Sequence, residues 1–190
     1  MNRRALVCVA TLVAVASPSI AAPDLFPKDV IDAGGGAGFA ERLEEPAFWP
    51  SSATNQYRQR VRLFIGGHTV NSWGIRIDQN NSGKAFGYFV EHDGKKIVED
   101  RRFRVSDADL AELQRLAEEA ELWTIYPQFY VMREDEVCID GMMIILERRT
   151  ATNYSYSEGN AQCTLGRSQL AVAAKMMEMA GRPGLKSLLP

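Results

Sequence analysis

The sequence predicts a single α+β domain. Its sheet is mainly antiparallel, with about six strands arranged as a four-strand meander, a helix, a hairpin and a helix, and the two helices pack on one face. Three observations predict this. From Tyr57 to Val105 apolar residues alternate with polar ones at period two, broken by Asn- and Gly-containing turns. Two later segments switch to helical spacing, and a second pair of alternating runs lies between them.

The chain opens with a segment that reads as a cleavable export signal over 1–21. Arg3 and Arg4 precede an apolar run from Ala5 to Ala16. At about 12 residues the run suits a leader core and falls short of the roughly 20 needed to span a bilayer. Pro18 breaks it, and Ser19-Ile20-Ala21 supplies small residues for cleavage after Ala21. Cleavage after Ala22 would leave Pro23 directly across the scissile bond. Residues 22–56, with Pro23, Pro27, Pro46 and Pro50 and the patch Gly34-Gly35-Gly36-Ala37-Gly38, read as a flexible arm or linker. Phe48 and Trp49 are the residues that would anchor its end.

The domain proper is expected over 57–182, with a tail at 183–190. Val61, Leu63 and Ile65 alternate with Arg60, Arg62 and Phe64, and Trp73, Ile75 and Ile77 with Gly74, Arg76 and Asp78. Asn80-Asn81-Ser82-Gly83 makes a turn, and Phe86, Tyr88 and Val90 share the next face. Asp93-Gly94 then predicts a tight hairpin whose central residues both take positive φ, leading to a strand over about 96–105. Ser106 caps a helix with Asp109 as its acidic partner; Leu110, Leu113, Leu116, Ala117 and Ala120 form the packing stripe, and Glu112, Arg115, Glu118 and Glu119 the solvated face. Strands over about 141–148 and 153–157 make the hairpin. A last helix over about 168–180 stops at Gly181 and Pro183.

Charge and cysteines narrow the function. The 22 Lys and Arg, less Arg3 and Arg4 of the leader, leave 20 against 24 Asp and Glu. That acidic balance argues against nucleic acid or an anionic membrane as the partner. The densest basic cluster, Arg101, Arg102 and Arg104, reads as a solvated strand face. Without the leader, and hence Cys8, only Cys138 and Cys163 remain, and an isolated pair in an oxidising compartment predicts a disulfide. A fold-back centred between Thr150 and Ala151 places Arg148 opposite Asn153 and Cys138 opposite Cys163.

Candidate chemistry is sparse. His68 and His92 both fall at strand ends, and no nucleophile motif accompanies them. The glycine patch lacks the strand-loop-helix context that aims amides at phosphate. Asp78 to Gly83 matches the first half of a calcium loop, but position 12 is Phe89 rather than Glu. Met176 and Met179 are a turn apart, as copper ligands or, by default, as core. Glu134-Asp135-Glu136, Asp140 and Glu147 are carboxylates available for acid-base or metal chemistry. Tyr154 and Tyr156 share one strand face. The reading assigns no catalytic, cofactor-binding or metal-ligating residue and no cofactor.

The capped Leu-x-x-Leu-x-x-Leu helix ending in Leu122-Trp123, Asp140-Gly141 leading to Leu146-Glu147, and Tyr154 in the return strand resemble uncharacterised exported proteins of Gram-negative bacteria over about 57–180. The resemblance implies export and architecture, and no activity. The expectation is therefore a periplasmic or secreted, non-enzymatic domain that binds another protein of the cell envelope as an inhibitor, immunity-type or envelope-associated protein. It would have no stable membrane insertion once the leader is cut. The competing expectation is a hydrolase or metal-dependent enzyme using the acidic residues around Asp140 and Glu147.

Overall fold

The computed structural model of the chain describes residues 24–36, 38–48, 56–67, 71–122, 128–129 and 141–184. The leader, His68, Trp49, Cys138, Asp140 and the Glu134–Glu136 edge lie outside them. The fold is α+β. Six antiparallel strands run as β1 (Tyr57–Gly67), β2 (Ser72–Asn80), β3 (Ala85–His92), β4 (Ile97–Arg104), β6 (Met142–Thr150) and β7 (Tyr154–Asn160). The two-residue β5 (Gln128–Phe129) pairs parallel with β7, so the sheet order is β4-β3-β2-β1-β6-β7-β5. Helices α2 (Asp107–Glu119) and α3 (Arg167–Met179) follow the meander and the hairpin, and a short α1 (Lys28–Asp32) lies in the N-terminal segment. Among the described residues no helix is long and apolar enough to cross a membrane.

The two helices cover one face of the sheet, as their spacing predicts. Leu110, Leu113 and Ala117 of α2 and Val172, Ala173, Met176 and Met177 of α3 pack on Leu63, Ile65, Ile75, Ile77, Phe89, Ile144 and Leu146. Ser106 caps α2 by accepting from the Asp109 amide at 3.1 Å. After α3, Gly181 takes φ of 66° while its amide bonds Glu178 and that of Arg182 bonds Met177. This is the left-handed stop that glycine tolerates best.

The opposite face is where the structure departs from the sequence reading. The segment expected to be a flexible arm is packed: Phe26, Val30, Phe39, Ala40 and Leu43 form a second core with Phe64, Val90, Ile145 and Tyr156. The backbone is shaped for this approach, since a Cβ on Gly66 would collide with the Phe39 ring. The physical reason is that this face carries apolar residues at one end, and an arm bearing spaced aromatics removes them from water.

Two turns also differ. Asp93-Gly94 is not a two-residue turn. Only Gly94 has positive φ, and Asp93 Oδ1 instead accepts from the amides of Lys95 and Lys96 at 2.8 and 2.9 Å, closing a longer loop. In the second hairpin Thr150 and Asn153 close the turn, with Thr150 N bonding Asn153 O at 2.8 Å and Asn153 N bonding Thr150 Oγ1 at 3.0 Å. The fold-back is therefore centred one residue later than expected. Arg148 faces Ser155 rather than Asn153, and the ladder ends at Met143 opposite Asn160. Cys163 lies past that end in a turn, so strand register does not set it opposite Cys138.

Candidate functional site

The arm-side face is polar toward the start of β1 and the end of β2. Pleating puts Arg60 and Arg62 of β1, Arg76 and Asp78 of β2, Tyr88 of β3, Glu147 of β6 and Tyr154 of β7 on it, each displaced by one residue from the apolar positions that face the helices. Register places opposite charges across strands, with Arg60 opposite Asp78 and Arg62 opposite Glu147.

The arm roofs this network after the 3-10 turn at Glu41–Leu43. Arg62 Nε donates to Glu147 Oε2 at 2.7 Å, its Nη2 lies 2.6 Å from the same oxygen, and its Nη1 donates to the Pro46 carbonyl at 2.6 Å. Both side chains of the pair are 0% exposed. Tyr154 donates to the other oxygen of Glu147 at 2.5 Å. Arg76 reaches Glu45 of the arm at 2.5 Å and Asp78 at 3.2 Å, and Arg60 reaches Asp78 at 2.8 Å. The Phe48 ring lies against both guanidiniums, 4.6 Å from Arg60 and 4.1 Å from Arg62. Three cations therefore meet three carboxylates beneath an aromatic cover, an arrangement that meets the cost of burying charge.

The electrostatics follow from this packing. Burial pushes the Glu147 carboxyl upward, opposed by the Arg62 charge and by the Tyr154 and Arg62 hydrogen bonds. Burial works against the Arg76 charge, but Glu45 and Asp78 more than offset it and hold its pKa above the usual value. Burial and then Glu158 drive the Tyr156 hydroxyl upward; it donates to Glu158 at 2.5 Å and accepts from the Gly36 amide at 2.8 Å. The glycine patch is thus, over its described residues, an anchored turn.

Beside the roof the surface opens into a cleft of about 440 Å³ between the arm and β2, β3 and β4, lined by Glu44, Arg76, Tyr88, Asp100 and Arg102 among others. Arg102 is exposed and lies over the rings of Phe86 and Tyr88, at 5.0 and 5.1 Å, while Arg76 lies 4.1 Å from the Tyr88 ring centre. Among the described residues Glu44, Asp100 and Arg102 enter no ion pair. Glu44 holds a left-handed φ of 53° at the end of the 3-10 turn.

The other residues singled out in the sequence are placed as follows. Glu147 belongs to the closed network. His92 is buried at the end of β3 and accepts from the Gly94 amide at 2.9 Å. Asp78 is 1% exposed and faces the two arginines rather than the Asn80–Gly83 turn. In that turn Asn80 accepts from Ser82 and Lys84. Met176 is in the helix-side core and Met179 packs against it. No group of three or more His, Cys, Asp or Glu fit to hold a metal occurs among the described residues. Tyr154 and Tyr156 are packed, by Glu147 and by the arm. Cys163 is half-buried in the turn after β7.

Sequence reasoning missed the network because Arg60, Arg62 and Arg76, alternating with apolar residues, have the pattern of a solvated face. The legible signal was the pairing of Arg60 with Asp78 and Arg62 with Glu147 in register, together with an arm carrying Phe26, Phe39 and Phe48. No known family model matches the chain, and no curated protein matches it significantly.

Proposed function

We propose that the chain is an exported, non-enzymatic binding domain that engages another protein of the cell envelope through the cleft beside the arm. The observation that carries this reading is the contrast between the two halves of the arm-side face. The carboxylates and arginines that could do chemistry are paired and roofed, whereas the open half presents Arg102 stacked on Tyr88 and Phe86 beside Glu44 and Asp100. Stacked arginine and tyrosine at the rim of a cleft are the side chains that dominate protein interfaces. The apolar leader core supports export, and a Cys138–Cys163 disulfide fits that compartment. Glu147, the one described carboxylate of the enzymatic alternative, has no path to solvent.

The test is capture from periplasmic extract with the chain at native expression, comparing wild type with Tyr88→Ala. A specific envelope protein retained by wild type and lost about tenfold or more in the variant is the expected result. Recovery of no partner, or equal retention by both, removes the reading. Intact mass before and after reduction and alkylation tests the disulfide: alkylation at both cysteines only after reduction is expected.

A further inference from the structure

β4 ends the sheet. It pairs with β3 on one side, and among the described residues no strand or backbone hydrogen bond occupies the other. Eight residues long, this edge presents Asp100, Arg102 and Arg104 on the arm-side face, all exposed, and Val98, 49% exposed, sits at a bulge before them. A free edge of this length is a template for another strand unless it is defended. Three arginines in the strand would be such a defence if their charge were unmatched. It is not unmatched: Asp100 and Arg102 sit two residues apart on one face, and neither enters an ion pair among the described residues.

We propose that two copies of the chain join edge to edge through β4, antiparallel about a two-fold axis normal to the sheet, to make one continuous sheet. Such an axis keeps like faces together, so residues opposite each other must come from the same face of β4. Charge then selects the register. Setting Asp100 on its own copy, or Arg102 on its own copy, puts like charges in contact. The intermediate register sets Asp100 opposite the partner's Arg102, twice by symmetry. On the helix side that register brings the two Arg101 residues together at the axis. Each is held within its own chain, donating to Glu99 at 2.7 Å, a carboxylate it shares with Arg182, and to the Ala180 carbonyl. The occupant of the edge is thus a second copy, because the strand is complementary to itself. The proposal rests on the edge strand, and it shares Asp100 and Arg102 with the cleft assigned to the envelope partner.

The test is the mass in solution of the chain expressed from its complete sequence, by sedimentation or light scattering, with far-UV circular dichroism to confirm folding. Wild type is expected to dimerise. Asp100→Arg and Arg102→Asp each place like charges opposite one another in both pairs and are expected to weaken the dimer at least about tenfold. Mixing the two single variants restores opposite charges in both pairs, so a heterodimer of near wild-type affinity is expected, as is a homodimer of the D100R/R102D double variant. A wild type that stays monomeric at about 200 μM overturns the proposal and identifies the arginines as edge guards. So do folded single variants that dimerise like wild type, or a mixture that gains nothing over its components. Because Tyr88→Ala leaves both charge pairs in place, loss of the envelope partner without loss of the dimer separates the two readings.

Discussion

Arg62 and Glu147 each have the other as their principal counter-charge in a site with no solvent, which makes them unequal to any surface pair in the molecule. Removing one partner strands a buried charge, whereas removing both restores an apolar interior. Glu147→Leu should therefore destabilise the fold by about 3–5 kcal/mol in urea melts, and Arg62→Met/Glu147→Leu by markedly less than the sum of the two single changes. Additive losses in that cycle would show that the pair is not coupled. Glu121 offers the opposite case. It closes α2 at a φ of 54°, where Gly would be unstrained. Glu121→Gly should at least offset its added chain entropy, leaving stability unchanged or raised by up to about 1 kcal/mol. At this scale the sequence was legible where a residue's neighbours are local, as for Ser106 and Gly181. It was silent for Arg60, Arg62 and Arg76, whose counter-charges Asp78, Glu147 and Glu45 are brought to them by strand pairing and by the arm.

The helices show what an element owes to local chemistry. Ser106 accepts from the Asp109 amide, and Ser106→Ala should cost about 1 kcal/mol of thermal or urea stability. Asp109 also ties α2 to α3, because Lys175 donates to it at 2.6 Å. That bond, then the one from Ser106, holds the Asp109 carboxyl below its usual range. A carboxylate depressed in the fold contributes stability that is present above its unfolded pKa and is lost as pH falls through the folded one. Asp109→Asn should accordingly flatten the acid limb of the stability curve below about pH 4 and lower neutral stability by the modest amount that limb loses. The strands were legible by the same local logic, since alternation fixes which residues share a face. Turn details were less so. Asp93-Gly94 satisfies a two-residue turn by composition, but the Asp93 carboxylate finds two amides in a longer loop. A single-residue shift at Thr150–Asn153 then moves every pair of the hairpin.

Over the whole molecule the consequential feature is the arm, which turns a two-layer domain into three layers. Phe26 packs edge-on against Phe64 and Tyr156, with ring centres 6.1 and 5.6 Å apart. Phe26→Ala should cost about 3–5 kcal/mol. It should also admit proteases to the segment before β1 while α2 and α3 stay protected in hydrogen exchange, the pattern of a locally undocked layer. Equal loss of protection across all helices would instead make the arm part of one cooperative core. The sequence by itself determined the α+β class, the helix-side core, the cap that opens α2 and the glycine that ends α3, because period, capping residues and stop glycines act within a few residues. Only the tertiary structure decided that a proline- and glycine-rich segment is the second roof of the sheet. The same is true of Arg60, Arg62 and Arg76, which are buried against Glu45, Asp78 and Glu147 and leave the Arg102 cleft open beside them. Those outcomes depend on free energy gained between segments far apart in the chain, which no local pattern records.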